Sequence, residues 1–328
     1  MRQRDYKMDN IRFFLIFCVL LGHFLELFVG AFSSDLYKII YSFHMPAFLF
    51  LTGFFARFNR RKIVLKLIYP YILFQVLYQL FDAYVIKEKT QATITFGTPY
   101  WLLWYLLVTI LCYLLLPLFD GISPISGIAF SCITLMVAIF AGFDTSLGYY
   151  ASLARFFSFL PFFLIGHYTA HLWKKSKPQT NLWLMIAIGL FLFFACKYML
   201  QESEITKYML YGSFSYEKAH YDPVIKLFLL LLSFAWIAFL LFVFPGKKIP
   251  FVSVLGQHTL PIFLLHGFIV KLAQKNVIFC YTESKNLLFA VILSLFLICI
   301  LGNPLTSKCF SYLFTGEWIN RILKWKSL

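Results

Sequence analysis

The chain has 328 residues, of which 61% are hydrophobic and 13% charged, and its formal net charge is +15. Because about 25% of the residues of a soluble domain are charged, this composition excludes an ordinary soluble fold and predicts an all-α, polytopic membrane protein. The basic residues stand in short clusters between apolar segments, which favours charges that set membrane topology over a nucleic-acid-binding face.

Ten apolar segments, each about 20 residues long, are predicted to cross the membrane as helices, because lipid offers no partners for backbone polar groups. In chain order they cover residues 11–31, 41–57, 63–82, 101–119, 127–143, 151–171, 181–200, 223–244, 251–271 and 286–306. Since no long polar stretch separates them, we expect a single membrane-embedded domain over residues 1–328. Lys and Arg are more frequent in the linkers on the side of the N-terminus, so the positive-inside rule predicts that both termini face the cytoplasm.

Four polar side chains lie in or beside the first segment: Asp9, Arg12, His23 and Glu26. A charge at mid-membrane costs about 3 kcal/mol or more, so such residues are functional candidates. Arg12 and His23 are eleven residues apart, which places them on one helix face about 16 Å apart along the axis. Asp9 lies one turn before Arg12, and Glu26 lies one turn after His23. The sequence therefore predicts a polar stripe that runs from the cytoplasmic edge into the bilayer.

This stripe suits a reaction between a cytoplasmic reactant and a buried one. A neutral His23 imidazole is a candidate general base for a hydroxyl, or a nucleophile that accepts an acyl group. Glu26 is a candidate to orient the ring, and Arg12 is a candidate to bind an anionic cofactor group such as a phosphate. The alternative interpretation is that these residues pair only with one another and serve packing.

Polar side chains also mark the second and third segments. His44, beside Pro46 near the outer end of the second segment, is either a substrate contact or a structural hydrogen-bond donor. A basic cluster leads into the third segment, and its members are Arg57, Arg60, Arg61, Lys62 and Lys66. Topology-setting charge explains most of this cluster, but Lys66 lies inside the segment and suits a cationic pocket for phosphates.

Aromatic and histidine residues mark the fourth and ninth segments. Tyr105 follows Trp101 and Trp104. These aromatic side chains either contact substrate or form an aromatic belt at the membrane interface. His266 is deep enough to face the interior of the bundle, where an interhelical hydrogen bond is the alternative role. The chain has no Walker loop and no GxSxG, HExxH or GxGxxG motif, and its seven cysteines lack metal-ligand spacing, so no metal cofactor is predicted.

The order of these motifs resembles the acyltransferase 3 family, bacterial membrane O-acyltransferases of surface polysaccharides that include fucose 4-O-acetylase-like proteins. Arg12 and His23, separated by ten residues and preceded by Asp9, are similar to the signature of the family's first span. Four further stretches resemble later family motifs in the right order: 43–46 (FHMP), 67–71 (LIYPY), 101–107 (WLLWYLL) and 255–266 (LGQHTLPIFLLH). The chain departs from the family at Phe13, where Gly is frequent. The family has a pair of arginines before its third span. The candidates for those positions in this chain are Arg57 with Arg60, Arg61, and Lys66.

The resemblance implies a ten-span catalytic domain that takes acetyl-CoA from the cytoplasm as co-substrate. The implied acceptor is a hydroxyl of a cell-surface polysaccharide or lipid-linked sugar at the bacterial cell membrane. His23 takes the position of the catalytic histidine and Arg12 that of its paired arginine, with Glu26 assisting. We expect the substrates to be bound by Asp9, His44, Arg60, Arg61, Lys66, Tyr105 and His266. One alternative is a glycan or lipid transporter or flippase, which predicts internal repeats and paired broken helices, and another is a non-enzymatic scaffold or sensor.

Overall fold

Helices make up the regular structure of the protein in the computed structural model, which describes residues 4–87, 94–119, 121–175, 182–201 and 205–318. The main helices are α1 (Tyr6–Leu25), α2 (Ala31–Tyr41), α3 (His44–Phe55), α4 (Arg60–Ile86), α5 (Trp101–Phe119), α6 (Pro124–Phe143), α7 (Leu153–Lys175), α8 (Leu182–Gln201), α9 (Pro223–Val243), α10 (Thr259–Lys275), α11 (Glu283–Leu301) and α12 (Pro304–Phe314). One-turn helices lie at Lys207–Leu210, Tyr216–Ala219 and Val252–Leu255. No strand occurs in these described ranges, which confirms the all-α prediction.

Eight helical stretches are long and apolar enough to cross a membrane, so the prediction of a polytopic membrane protein is confirmed. They are α1, the joined stretch α2–α3, α4, α5, α6, α8, α9 and α11. The predicted segment 151–171 overlaps most of α7, whereas the predicted segment 251–271 contains the one-turn helix Val252–Leu255 and overlaps α10 only from Thr259 onward. Helix α10 has 17 residues, and α7 carries Arg155 and two histidines. The count of ten spans stays a prediction.

Helix α1 is displaced toward the N-terminus relative to the predicted segment 11–31. The carboxylate of Asp5 accepts a backbone N–H at 3.1 Å and caps the helix. The buried amide of Asn10 donates to the carbonyl oxygens of residues 245 and 247 at 3.0 and 3.1 Å. These distant partners satisfy polar groups inside the bundle, and hydropathy along the chain does not indicate them.

Helix α2 lies ahead of the predicted segment 41–57. It buries Ser33, Tyr37 and Ile40, and because it also carries Ser34, Asp35 and Lys38 it is less hydrophobic than α3. Only Ser42 and Phe43 separate α2 from α3, and their N–H groups still donate to carbonyls of the last turn of α2, so the two helices form one stretch that is interrupted at Phe43. The end of α2 lies against α1, with the Tyr41 ring beside Gly22.

Helices α3 and α7 cross with their backbones in close contact at two glycines. A Cβ on Gly53 would overlap the carbonyl group of Phe163, and a Cβ on Gly166 would overlap that of Phe50. Small residues permit this approach in membrane helix bundles. The crossing fixes α3, which begins at His44, against α7.

Helix α1 is the central helix of the site. Met8, Leu15, Leu20 and Phe24 are completely buried, and the helix packs against α2, α3, α10 and α11. Side chains at its C-terminal end therefore meet side chains from several other helices.

Candidate active site

A cavity of about 700 Å³ opens at the C-terminal end of α1, and we call it the histidine cavity. Its wall includes the polar side chains of His23, Glu26, Tyr41, His44, Arg155 and Lys271. Pockets for small molecules commonly have volumes of about 300–1,000 Å³. The volume is therefore sufficient for a sugar unit.

His23 and Glu26 form a pair on the last turn of α1. The His23 Nδ1 lies 3.6 Å from Glu26 Oε2 and 3.4 Å from the Tyr41 hydroxyl oxygen. The side chains are 14% and 31% exposed, respectively. A carboxylate beside Nδ1 favours the tautomer with its proton on Nδ1, which leaves the lone pair of Nε2 for a substrate. This is the tautomer that a general base or a nucleophile requires.

Tyrosine hydroxyls surround the Glu26 carboxylate. Tyr37 and Tyr41 donate to Glu26 Oε1 at 2.7 and 3.0 Å. The Tyr211 oxygen lies 2.8 Å from the Tyr37 oxygen. Because Tyr37 donates its proton to Glu26, Tyr211 must be the donor in that bond. Burial raises the pKa of Tyr211, in the linker between α8 and α9, to about 12, so its hydroxyl keeps the proton at neutral pH.

Sequence reasoning missed these tyrosines, although Tyr37 and Tyr41 have the i, i+4 spacing of one helix face. Gly22 explains how α2 comes so close to α1. A Cβ at Gly22 would lie 3.0 Å from the Tyr41 ring, so a side chain there would push the tyrosine away from Glu26.

Two more histidines lie beside this pair. The His266 ring is stacked on the His23 ring with centroids 5.4 Å apart, and the His44 ring lies 4.7 Å from that of Tyr41. The His266 Nδ1 is 3.0 Å from the Ile262 carbonyl oxygen, and the His44 Nδ1 is 2.8 Å from the Ile40 carbonyl oxygen. Each Nδ1 therefore carries a proton, since a carbonyl oxygen only accepts. The buried His266 Nε2 has no hydrogen-bond partner among the described residues.

Trp101 lies against His23, with ring centroids 4.7 Å apart. Its φ of 24° is a conformation that L-residues rarely adopt. Gln75 holds the preceding loop, since its Oε1 accepts the N–H of Tyr100 at 2.8 Å and its Nε2 donates to the Thr98 carbonyl at 2.9 Å. The residue that the sequence assigned to a candidate aromatic belt thus forms part of the cavity wall.

Tyr105 lies further along α5, in a smaller cavity of about 160 Å³ that we call the connecting cavity. Its hydroxyl oxygen is 2.6 Å from that of Thr52. The connecting cavity shares Val19, Met45 and Phe263 with the histidine cavity. Tyr105 therefore lies beyond the His23 group, toward the N-terminal end of α1.

Arg12 belongs to a separate cluster at the N-terminal end of α1. One guanidinium nitrogen lies 3.7 Å from Asp9 Oδ1, and the Asp9 Oδ2 accepts a hydrogen bond from Arg4 Nε at 2.8 Å. The guanidinium carbon is 4.2 Å from the centre of the Phe55 ring. Arg12 and His23 do not meet, because the helix separates them by about 16 Å.

A third cavity, of about 1040 Å³, lies at the same end as Arg12, and we call it the basic cavity. The basic side chains of its wall are Arg61, Lys62, Lys66 and Lys308. Arg60 is exposed on the first turn of α4 and does not line the cavity. Lys62 also lines the connecting cavity, so the three cavities follow one another from the basic end to His23.

Cationic side chains that sequence reasoning did not select also line the histidine cavity: Arg155, Lys207 and Lys271. The Lys271 ammonium is 3.8 Å from Asp82, whose other oxygen accepts the Tyr100 hydroxyl at 2.6 Å. Arg155 lay within the predicted segment 151–171, and an intramembrane arginine was the signal that could have identified it.

The sequence model of the acyltransferase 3 family, described as an acyltransferase domain, matches residues 5–304. The match includes α1 to α11 and therefore His23, Glu26 and the walls of the histidine and connecting cavities. Neither a curated protein nor a solved structure matches the chain significantly.

Proposed function

This chain belongs to the acyltransferase 3 family and is a membrane acyltransferase, and we propose that it transfers an acetyl group from acetyl-CoA to a hydroxyl of a cell-surface polysaccharide or lipid-linked sugar. The observation that carries the proposal is the His23–Glu26 pair, with Nδ1 and Oε2 3.6 Å apart, on the wall of a cavity of about 700 Å³. The distribution of Lys and Arg supports an orientation in which both termini are cytoplasmic, and the family resemblance supports a location in the bacterial cell membrane.

The proposed reaction uses the Nε2 lone pair of His23. Nε2 takes the proton of the sugar hydroxyl as the hydroxyl oxygen attacks the thioester carbonyl. The C–S bond then breaks, and the CoA sulfur leaves with the proton held by the imidazole. The Glu26 carboxylate stabilises the imidazolium between these steps. In the alternative route, Nε2 attacks the thioester and carries the acetyl group to the hydroxyl, and both routes use the same side chains.

The three consecutive cavities support a donor that enters from the basic end. The phosphates of acetyl-CoA suit the basic cavity, where Arg61, Lys62 and Lys66 supply positive charge. Arg12 and Asp9 lie at the same end of α1 and do not line the basic cavity, and we propose that Arg12 assists in attracting the donor phosphates. The slender pantetheine arm suits the connecting cavity beside Tyr105, and the thioester then reaches the His23 group. His44 lines the cavity proposed for the acceptor, and the buried His266 packs against the His23 ring.

The test is acetyl transfer from radiolabelled acetyl-CoA in membranes that contain the wild type or His23→Ala. We expect incorporation to fall by at least about a hundredfold, the lower range for loss of a general base. His220→Asn is the matched control, because His220 is exposed in the linker before α9 and Asn tolerates its φ of 53°. Equal incorporation in wild type and His23→Ala would remove the proposed role of His23. Mass spectrometry of the surface glycan with and without the gene identifies the acceptor.

A further inference from the structure

Arg155 lines the histidine cavity from the first turn of α7. Its guanidinium carbon is 4.8 Å from the centre of the Trp104 ring and 5.2 Å from that of Tyr149. Its Nε donates to the backbone carbonyl of Tyr211 at 3.3 Å. No Asp or Glu among the described side chains forms an ion pair with it.

The surroundings of Arg155 stabilise its orientation and leave its charge uncompensated. Aromatic faces attract a cation weakly but do not neutralise it. A guanidinium has five N–H donors, and among the described residues only the Nε donor of Arg155 has a hydrogen-bond partner. The remaining donors form a planar edge whose geometry fits two oxygens of a carboxylate or phosphate. Such an arrangement is typical of an anion-binding group.

The other charges of the cavity already have partners within the protein. Glu26 accepts hydrogen bonds from Tyr37 and Tyr41, and Asp82 pairs with Lys271. Lys207 adds a second cation to the wall, with its ammonium 5.6 Å from the Tyr208 ring. The cavity therefore presents an excess of positive charge on the side of Arg155.

We propose that Arg155 binds an anionic group, a carboxylate or a phosphate, of the acceptor glycan while the acceptor hydroxyl lies at His23. This inference rests on the proposed acetyl transfer and names the class of its acceptor. The phosphates of acetyl-CoA are the other source of an anion, but the basic cavity suits them at the opposite end of α1. Tyr211 connects the proposed anion site to the His23–Glu26 pair. Its backbone carbonyl accepts a hydrogen bond from Arg155, and its hydroxyl donates to the Tyr37 hydroxyl, which in turn donates to Glu26.

The test is calorimetric titration of the purified full-length protein in detergent with matched octyl glycosides. Each set contains a neutral hexoside, the corresponding uronoside and the hexoside 6-phosphate, in gluco and galacto configurations. We expect the wild type to bind an anionic member at least about tenfold more tightly than its neutral partner, which corresponds to about 1.4 kcal/mol. Arg155→Gln should abolish this difference without weakening the neutral ligand, and Arg155→Lys should retain part of it.

Three controls separate this inference from its alternatives. Lys218→Gln removes an exposed cation outside the cavity and should keep the preference. His23→Ala should also keep the preference, since the variant leaves Arg155 unchanged. Wild-type protein that transfers no acetyl group but prefers the anionic ligand would refute the proposed function and not the anion site. Acetyl-CoA binding should be equal in Arg155→Gln and wild type.

The inference is overturned by wild-type protein without an anionic preference, by a preference that survives Arg155→Gln, or by weaker acetyl-CoA binding in that variant. Size-exclusion chromatography checks that each variant is folded.

Discussion

The histidine cavity and the basic cavity hold their polar groups in opposite ways. At the histidine cavity, Tyr37 and Tyr41 enclose the Glu26 carboxylate, and aromatic rings pack against His23. At the basic cavity, the cations of α4 are exposed along the wall of a larger space. Fixed groups suit bond formation, whereas long cationic side chains suit a flexible, highly charged donor. The contrast supports our proposal that chemistry takes place at the C-terminal end of α1 and that the donor binds at its N-terminal end.

The largest expected effect comes from His23→Asn, which removes the proposed base. We expect kcat to fall about a thousandfold, because a positioned base contributes about 10²- to 10⁴-fold. The KM for acetyl-CoA should stay within about twofold, since the donor phosphates bind at the other end. Initial rates over a range of acetyl-CoA concentrations measure both constants. An effect confined to KM would contradict the division between the two ends.

Glu26→Gln should have the next largest effect. The Gln oxygen still accepts hydrogen bonds from Tyr37 and Tyr41, but the negative charge beside the His23 ring is lost. We expect kcat to fall about thirtyfold, which corresponds to about 2 kcal/mol of transition-state stabilisation. Glu217→Gln, an exposed carboxylate in the linker before α9, is the control. A wild-type kcat in Glu26→Gln would show that the charge of Glu26 does not assist catalysis and that Glu26 only stabilises the packing at the end of α1.

Arg12→Gln tests the basic end. We expect the KM for acetyl-CoA to rise about tenfold with little change in kcat, because one charge-assisted contact contributes about 1.5–3 kcal/mol. Arg4→Gln is a matched control, since Arg4 also binds Asp9. If both variants raise KM equally, the role of Arg12 is to pair with Asp9, and the packing interpretation holds.

Tyr37→Phe is expected to have the smallest effect. It removes one hydrogen bond to Glu26 and leaves the Tyr211 hydroxyl without its acceptor. We expect a loss of about 1 kcal/mol in the free energy of unfolding and a decrease in kcat of only a few fold. Denaturation in detergent and steady-state rates measure the two effects. Tyr281→Phe, at an exposed tyrosine after α10, should change neither.

The sequence predicted most helices because apolar length alone determines them. It misplaced α1 because Asn10 is satisfied by carbonyl groups near residue 245, which no local pattern reveals. It missed α2 because Ser33, Ser34, Asp35 and Lys38 make that helix less hydrophobic than α3. The first difference arises from a distant contact and the second from a weak local signal.

The site was predictable only where its residues share one helix. His23 and Glu26 are three residues apart, so their proximity follows from helical geometry. The stacking of His266 on His23 joins α10 to α1 and depends on the tertiary fold. In the sequence Arg155 is one polar residue of an apolar segment. Only the tertiary fold shows that the rings of Trp104 and Tyr149 surround its guanidinium group.

The connecting cavity, at about 160 Å³, is much smaller than the spaces of about 700 and 1040 Å³ that it joins. Apolar side chains form most of its wall, including those of Ile16, Val19, Leu106 and Leu260. Narrow apolar constrictions exclude water and ions. The slender pantetheine arm of the proposed donor suits such a gap, whereas a sugar or a nucleotide is too wide for it. In the proposed reaction the bundle would thus pass an acetyl group through its interior while the narrow apolar section keeps water and ions out.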